Sequence, residues 1–417
     1  MNFTLSKDQE EALSKINKWL ETDKRFFILQ GFAGTGKSFL MDLIAKRDIP
    51  NMFFTATTNK ACKVLEGHIN LPVKTIYSLL GLKMVEKEDK LVLSFPNPNK
   101  KPHFPKGSII VIDEASMVGL ELLKLIYKLP DVRVIFVGDP AQLPPVGEPM
   151  SGAWKMTDDS SCRSMLRTVM RNDNELLNLA TKIRACLREQ NYTSPVMEDI
   201  GENGDGVYLW DSQQEFEAVL LGDIKNVDFS ETKVIAWRNK TVDYYNNMIR
   251  KHLGFKEDFE VNDILLLGKP VEREGVFIAH TDDEFVVKEA IKDNVVIFDN
   301  IHRVEYWELF VTGTQEIALK IPKDQEYLNS ILAKKANIAN NATAANKKRA
   351  WEDFWRLKNY FDEVRYGYAL TAHRAQGSTL TECYIDQQDI ISNYKCQEAF
   401  QCLYVAATRA TKQIHTF

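Results

Sequence analysis

Apolar residues return at helical spacing at the start of the chain. Ala12, Leu13, Ile16 and Leu20 share one face of residues 6–21, with Ser6 placed to cap the helix. The pattern then changes. Short, unbroken apolar runs alternate with helix-period segments: Phe26-Phe27-Ile28-Leu29, Met52-Phe53-Phe54-Thr55-Ala56, Ile109-Ile110-Val111-Ile112 and Val134-Ile135-Phe136-Val137. Buried strands separated by helices predict a parallel sheet. Residues 83–106 interrupt it with the charged run Glu86-Lys87-Glu88-Asp89-Lys90, then Leu91-Val92-Leu93 and a proline-rich stretch to Pro105. That order predicts a hairpin excursion.

A second α/β unit begins near residue 171. It has a strand at Lys233-Val234-Ile235-Ala236-Trp237 and an amphipathic helix through Arg250. From 259 to 320 short strand-like runs recur, such as Phe285-Val286-Val287 and Val295-Val296-Ile297-Phe298, with turn residues at Asp293-Asn294. They predict a small β-barrel. Residues 325–361 read as helical, with Trp351 and Trp355 at i, i+4 as core positions and Lys347-Lys348-Arg349 as a solvated face. The α/β pattern resumes at Tyr368, so the β-rich part is an insertion.

Composition narrows the function classes. The 417 residues are 44% hydrophobic and 27% charged, an ordinary globular balance that allows two to four domains. A net charge of −5 excludes a bulk-basic packager of nucleic acid, so any such site is a local groove. The six cysteines form no C-x-x-C pair and have no zinc-spaced histidines, which predicts reduced thiols. Met1-Asn2-Phe3-Thr4 lacks the basic and apolar regions of a signal peptide, and no apolar run approaches the ~18 residues of a membrane span. A cytoplasmic protein is expected.

The chemistry concentrates in Gly31-Phe32-Ala33-Gly34-Thr35-Gly36-Lys37-Ser38. A glycine loop between a strand and a helix cradles polyphosphate with backbone N–H groups and the helix N-terminus. Gly34, Thr35 and Gly36 belong to the cradle. Lys37 suits the β/γ-phosphates and Ser38 suits Mg²⁺. The strand Val111-Ile112 ends in Asp113 and Glu114, 75 residues after Ser38. Asp113 suits Mg²⁺, and Glu114 suits a general base for the attacking water.

With these residues the chain resembles superfamily 1 DNA helicases, within the RecD-like 5′→3′ group, from about Leu5 to Ala410. Leu5-Ser6-Lys7-Asp8-Gln9 resembles the adenine-reading element, with Gln9 the reader. Thr57-Thr58-Asn59-Lys60-Ala61 and Thr75-Ile76-Tyr77-Ser78-Leu79-Leu80 resemble segments that lie on the DNA backbone. Gly138-Asp139-Pro140-Ala141-Gln142-Leu143-Pro144-Pro145-Val146 resembles motif III, which implies that Gln142 senses the γ-phosphate. Leu166-Arg167-Thr168-Val169-Met170-Arg171, the run from Thr371 to Thr379 and the run from Leu403 to Ala410 resemble motifs IV, V and VI. They imply that Arg171 and Arg409 neutralise the transferring phosphoryl group and that Gly377 lies at the nucleotide. Thr57 stands where the family commonly has proline, and Tyr77 where many members have histidine.

The resemblance implies two RecA-like parallel-sheet domains, a small hairpin insertion and an SH3-like β-barrel insertion. The expected bounds are 1–82 and 107–170 for the first domain, 83–106 for the hairpin, 171–258 and 362–417 for the second, and 259–361 for the β insertion with its helical extension. The implied substrates and partners are ATP with Mg²⁺, single-stranded DNA and tailed duplex DNA, with a single-strand-binding or replication protein as a further partner and a monomer as the acting form. Thr57, Asn59, Thr75, Tyr77, Thr371 and His373 are the DNA-contact candidates; His373 is equally read as a packing residue. Phe95 is either the wedge of the hairpin or packing at its base. Two other activities stay open, a DNA-stimulated ATPase that remodels protein–DNA complexes and a 3′→5′ helicase.

Overall fold

A computed structural model describes residues 5–87, 90–95, 102–170, 175–222, 224, 227–273, 276–313 and 315–417. The chain forms two compact units, one of residues 1–222, 230–242 and 370–417, the other of residues 223–229 and 243–369. The fold is α/β.

The first unit holds two six-stranded sheets. The first sheet runs Lys74–Thr75, Met52–Ala56, Ile109–Asp113, Arg133–Gly138, Phe26–Gly31, Arg163–Leu166, and every ladder in it is parallel. Alternation along each strand builds two cores. Phe27, Leu29, Val111 and Ile135 pack under the helices Lys7–Leu20, Lys37–Ala45 and Asn59–Ile69. Phe26, Ile28, Ile110 and Phe136 face the helix Leu120–Tyr127. Ser6 caps the first helix in a reciprocal box with Gln9, a device worth about 1 kcal/mol. Strands Lys83–Lys87 and Lys90–Ser94 pair antiparallel as a separate ribbon. Leu93, Phe95 and Phe104 rest on the second core.

The second sheet runs Ala369–Thr371, Thr232–Ala236, Leu380–Ile385, Ala410–Thr416, Gly206–Leu209, Asp199–Ile200. Its central ladders are parallel, and the Asp199–Ile200 edge is antiparallel. The helix Cys396–Ala407 is buried nearly throughout, an all-round apolar helix that nevertheless carries Gln401 and Tyr404. Asp389, 2% exposed in its side chain, accepts from Trp237 N–H, Arg238 N–H and Thr241 Oγ1 at 2.7, 2.9 and 2.8 Å. It thereby fixes the start of helix Asn239–Leu253.

The second unit is built on a five-stranded antiparallel sheet in the order Glu316–Pro322, His302–Thr312, Glu284–Phe298, Ile264–Leu267, Val364–Tyr366. Its last strand follows the helical pair Gln325–Asn341 and Ala344–Lys358 in sequence. A buried Arg250–Asp263 ion pair at 2.8 Å, joined by the Tyr368 hydroxyl at 2.9 Å, pins the sheet. Trp355 is 41% exposed, contrary to the expectation of a core position. Spacing places Trp351 and Trp355 on one helix face, but Leu357 lies on the face that packs against the Phe298–Phe361 cluster. Lys347, Lys348 and Arg349 are exposed as expected. Among the described residues no helix is long and apolar enough to cross a membrane, and all six cysteines are free thiols.

Candidate active site

The first sheet delivers its chemistry to one edge because all its strands point the same way. Phe26–Gly31 ends in the glycine loop, Ile109–Asp113 in Asp113-Glu114, Arg133–Gly138 in Asp139, and Met52–Ala56 in Thr57. The carboxyl edge of such a sheet is where ligands bind.

The loop has its shape for local reasons. Gly36 caps helix Lys37–Ala45 with φ 80°, and Gly34 has φ 75°. A Cβ on Gly36 would also lie 2.3 Å from Gln9 Nε2, so only glycine fits. Lys37 Nζ donates to Gly31 O at 2.8 Å and Phe32 O at 3.0 Å. Thr35 is buried and donates to Phe32 O. An open pocket of about 430 Å³ is lined by Gly34, Gly36, Lys37, Ser38, Asp42, His68 and Met170. Gln9, 2% exposed, lies against Gly36. Its Oε1 accepts from Ser6 N–H at 3.0 Å and its Nε2 donates to Thr35 O at 3.1 Å, so both ends of the amide brace the loop.

Asp113 and Glu114 are adjacent and half-buried. Glu114 has φ 52°, a left-handed turn that breaks the strand and starts the 3₁₀ turn Ala115–Met117; it costs about 1–2 kcal/mol for a non-glycine residue. Burial raises the Asp113 carboxyl, opposed by the Glu114 N–H at 2.9 Å and by Lys37. Burial, then the Asp113 charge, pushes Glu114 up to about 7, against Arg409 and Lys37. Two carboxylates crowded beside a lysine form an oxygen-rich, electron-dense corner that suits a hard divalent cation.

Buried polar side chains reach this edge from the second sheet's elements. Gln376 Nε2 donates to Gln142 Oε1 at 3.0 Å and Ser116 Oγ at 3.3 Å, and Gln401 Nε2 donates to Gln142 O at 3.4 Å. Arg409, 7% exposed, donates to Val405 O, Ser378 O and Thr408 Oγ1 at 3.0, 3.0 and 2.9 Å. Asp8 takes Arg167 N–H, Thr168 N–H and Thr168 Oγ1 at 2.7, 2.8 and 3.0 Å, and these hydrogen bonds hold its pKa down. Met170 N–H donates to Gly34 O at 2.9 Å. Arg171 lies outside the described residues.

The remaining candidates sit nearby in mixed settings. Thr57 is buried and donates to Glu114 O at 3.4 Å. Asn59 starts the helix that Thr58 caps through Ala61 N–H. Thr75 and Thr371 cap the short helices Ile76–Leu79 and Ala372–Ala375. Tyr77 packs on the second core, and burial raises its phenol. Burial lowers the His373 imidazole and favours its neutral form. A Cβ on Gly377 would lie 3.3 Å from Thr58 Oγ1, which places that glycine against the start of helix Asn59–Ile69. Tyr404, Gln376, Gln401 and Asp8 were given no role by the sequence. A polar residue inside an otherwise apolar buried helix was the available signal for Gln401 and Tyr404.

The chain matches known proteins over these same parts. Residues 4–190 match the AAA domain family, and residues 366–415 match the UvrD-like helicase C-terminal domain family. It is 27% identical over 447 residues to the ATP-dependent DNA helicase dda of Enterobacteria phage T4, covering 97% of each chain. It is 26% identical over 502 residues to an uncharacterised protein of Acanthamoeba polyphaga mimivirus, covering 97% of this chain and 98% of the other. Its fold is similar to that of the Bacteroides Pif1 helicase in complex with ADP-AlF3 and ssDNA, with a TM-score of 0.51 and 17% identity over 99% of this chain and 92% of that one.

Proposed function

The chain belongs to the Pif1/Dda-like helicases of superfamily 1, and from that membership we propose how its residues perform the reaction. It is an ATP-dependent DNA helicase. One observation carries the assignment to a site: the glycine loop, Asp113-Glu114 and Gln142 share one sheet edge, and buried donors from the second sheet's elements close on that edge.

In this reading the loop N–H groups and Lys37 hold the ATP phosphates. Ser38 and Asp113 would hold Mg²⁺, which would supply neutralisation of phosphate charge when bound. Glu114, with a pKa near neutrality, accepts the proton of the attacking water. Gln142 senses the γ-phosphate, and Arg171 and Arg409 stabilise the transferring group. Gln9 reads adenine by exchanging its present partners, and Gly377 contacts the nucleotide. Asn59, Thr75, Tyr77, Thr371 and His373 track the strand through backbone contacts and stacking, with Thr57 as support beneath Glu114.

Two RecA-like domains, 1–82 with 107–170 and 171–258 with 362–417, alternate their grip on DNA. The ribbon within 83–106 parts the strands, with Phe95 as wedge or as its base, and the β insertion 259–361 is read as SH3-like. The strand is followed 5′→3′ by a monomer that acts on single strands and tailed duplexes, and a single-strand-binding or replication protein is its further partner.

The test uses fluorescent duplexes with a 5′ tail, a 3′ tail or blunt ends, with ATP, Mg²⁺ and a Lys37→Ala control. Opening of the 5′-tailed duplex alone supports the full reading. Opening of the 3′-tailed duplex alone discards the polarity. DNA-stimulated turnover with no duplex opened moves the assignment to a remodelling translocase.

A further inference from the structure

The Tyr404 hydroxyl joins three distant parts of the chain. It accepts from the Ala33 N–H at 3.2 Å and donates to Asp139 Oδ2 at 2.6 Å. Tyr404 and Asp139 are both fully buried. The other Asp139 oxygen accepts from Ala141 N–H at 2.9 Å, so the carboxylate spans the hydroxyl and the turn that presents Gln142. Burial, reinforced by Asp139, pushes the phenol far up, and the group stays a proton donor at any working pH. On the neighbouring helix Glu175–Glu189, Arg184 lays its guanidinium over the Phe32 ring at 4.1 Å. Phe32 and Ala33, the first two variable positions of the glycine loop, are thus both held by elements of the second sheet.

We propose that Tyr404 is a positioning residue that couples nucleotide occupancy to the Gln142 turn. A glycine loop works by turning its N–H groups onto phosphate. The Ala33 N–H has one hydrogen to give, and the Tyr404 hydroxyl holds it. On this proposal phosphate recruits that N–H, so nucleotide and tyrosine compete for one donor. When phosphate takes it, the hydroxyl keeps only Asp139, and helix Cys396–Ala407 is released from the loop. That helix also carries Gln401, the donor to Gln142 O, so the exchange alters the turn that senses the γ-phosphate. The inference rests on Gly31–Ser38 being the ATP site.

Tyr404→Phe keeps the ring and deletes the hydroxyl. The KM for ATP without DNA, and the ratio of DNA-stimulated to DNA-free turnover, are measured for wild type and Tyr404→Phe, with hydrolysis by Lys37→Ala as the control. The KM of Tyr404→Phe is expected to fall about five-fold, the factor one net hydrogen bond commands, and the stimulation ratio to fall with it. A merely structural lesion would not tighten nucleotide binding, so an unchanged or raised KM overturns the proposal. Thermal unfolding reports whether the variant folds. If it does not, Asp139→Asn takes its place, because it withdraws the carboxylate that anchors the hydroxyl; a smaller fall in KM is expected, and no fall overturns the proposal. Retained hydrolysis in Lys37→Ala would instead refute the ATP-site reading itself.

Discussion

The two six-stranded sheets of the first unit share an architecture and use it differently. The first sheet offers mostly backbone: a glycine loop whose N–H groups and left-handed residues form the cradle. The second offers side chains on braced helices, with Arg409 fixed by three hydrogen bonds and Gln376 and Gln401 reaching across. A backbone cradle is set by a few contiguous residues. A side-chain contribution depends on packing that places it. The first sheet is therefore expected to fail by loss of chemistry, and the second by loss of alignment.

Lys37→Ala tests the cradle most severely: ATP hydrolysis should disappear while single-strand binding, measured by fluorescence anisotropy, largely persists. On the other side, Arg409→Ala should lower kcat on the order of 10³-fold, the scale of an arginine acting across a cleft. Arg409→Lys should recover little, because an ammonium cannot reproduce the three braces. Steady-state turnover checks both, and a near-normal kcat in either variant would erase the contrast between the sheets.

Gln376→Ala removes a buried link between the sheets' elements. Stimulation of turnover by single-stranded DNA should drop by roughly five- to ten-fold, the effect of one or two hydrogen bonds. Stimulation equal to wild type would mean that the glutamines only fill space.

The two sheets should also titrate in opposite directions. Burial raises Glu114 to about 7, well above the ordinary carboxylate range. Its protonated form is the one the fold tolerates, so that stability is present below the unfolded value and lost as pH rises through about 7. Glu114→Gln should raise Tm at and above neutral pH, with the gain fading toward the unfolded value. At Asp389, burial raises the pKa, but the hydrogen bonds from Arg238, Thr241 and Trp237 outweigh it and leave it lowered. Its contribution is present above the ordinary carboxylate value and lost as pH falls through the folded one. Asp389→Asn should lower Tm by a few degrees at neutral pH, about 1–3 kcal/mol, and converge with wild type in acid. Calorimetry across pH checks both, and parallel curves for the two variants would show that the sheets do not differ in this way.

Much of the first sheet could be read in advance, because its strands are apolar runs and its loop is one contiguous octet. Breaks in pattern suggested the hairpin at 83–106 and the β insertion at 259–361. Other features were not legible. The strand Val364–Tyr366 is three residues with an arginine at its centre, and only pairing with Ile264–Leu267 makes it a strand. Trp355 obeys helical spacing yet faces outward, since spacing tells which residues share a face and not which face is covered. Gln9 was read as a site candidate, but its place in the capping box and against Thr35 O depended on how the first helix lies on the loop.

The sequence by itself determined the α/β class, the glycine loop, the acidic strand end and the family resemblance. These reside in short contiguous stretches whose local conformation and chemistry travel together. Tertiary structure alone decided the partners of Asp139, Gln142, Ala33 and Arg409. Ala33 and Tyr404 are 371 residues apart in the chain, and no periodicity or propensity encodes a hydrogen bond at that separation. Such pairs exist because two sheets and their helices bury apolar faces, and the polar groups carried into that interior must then find one another.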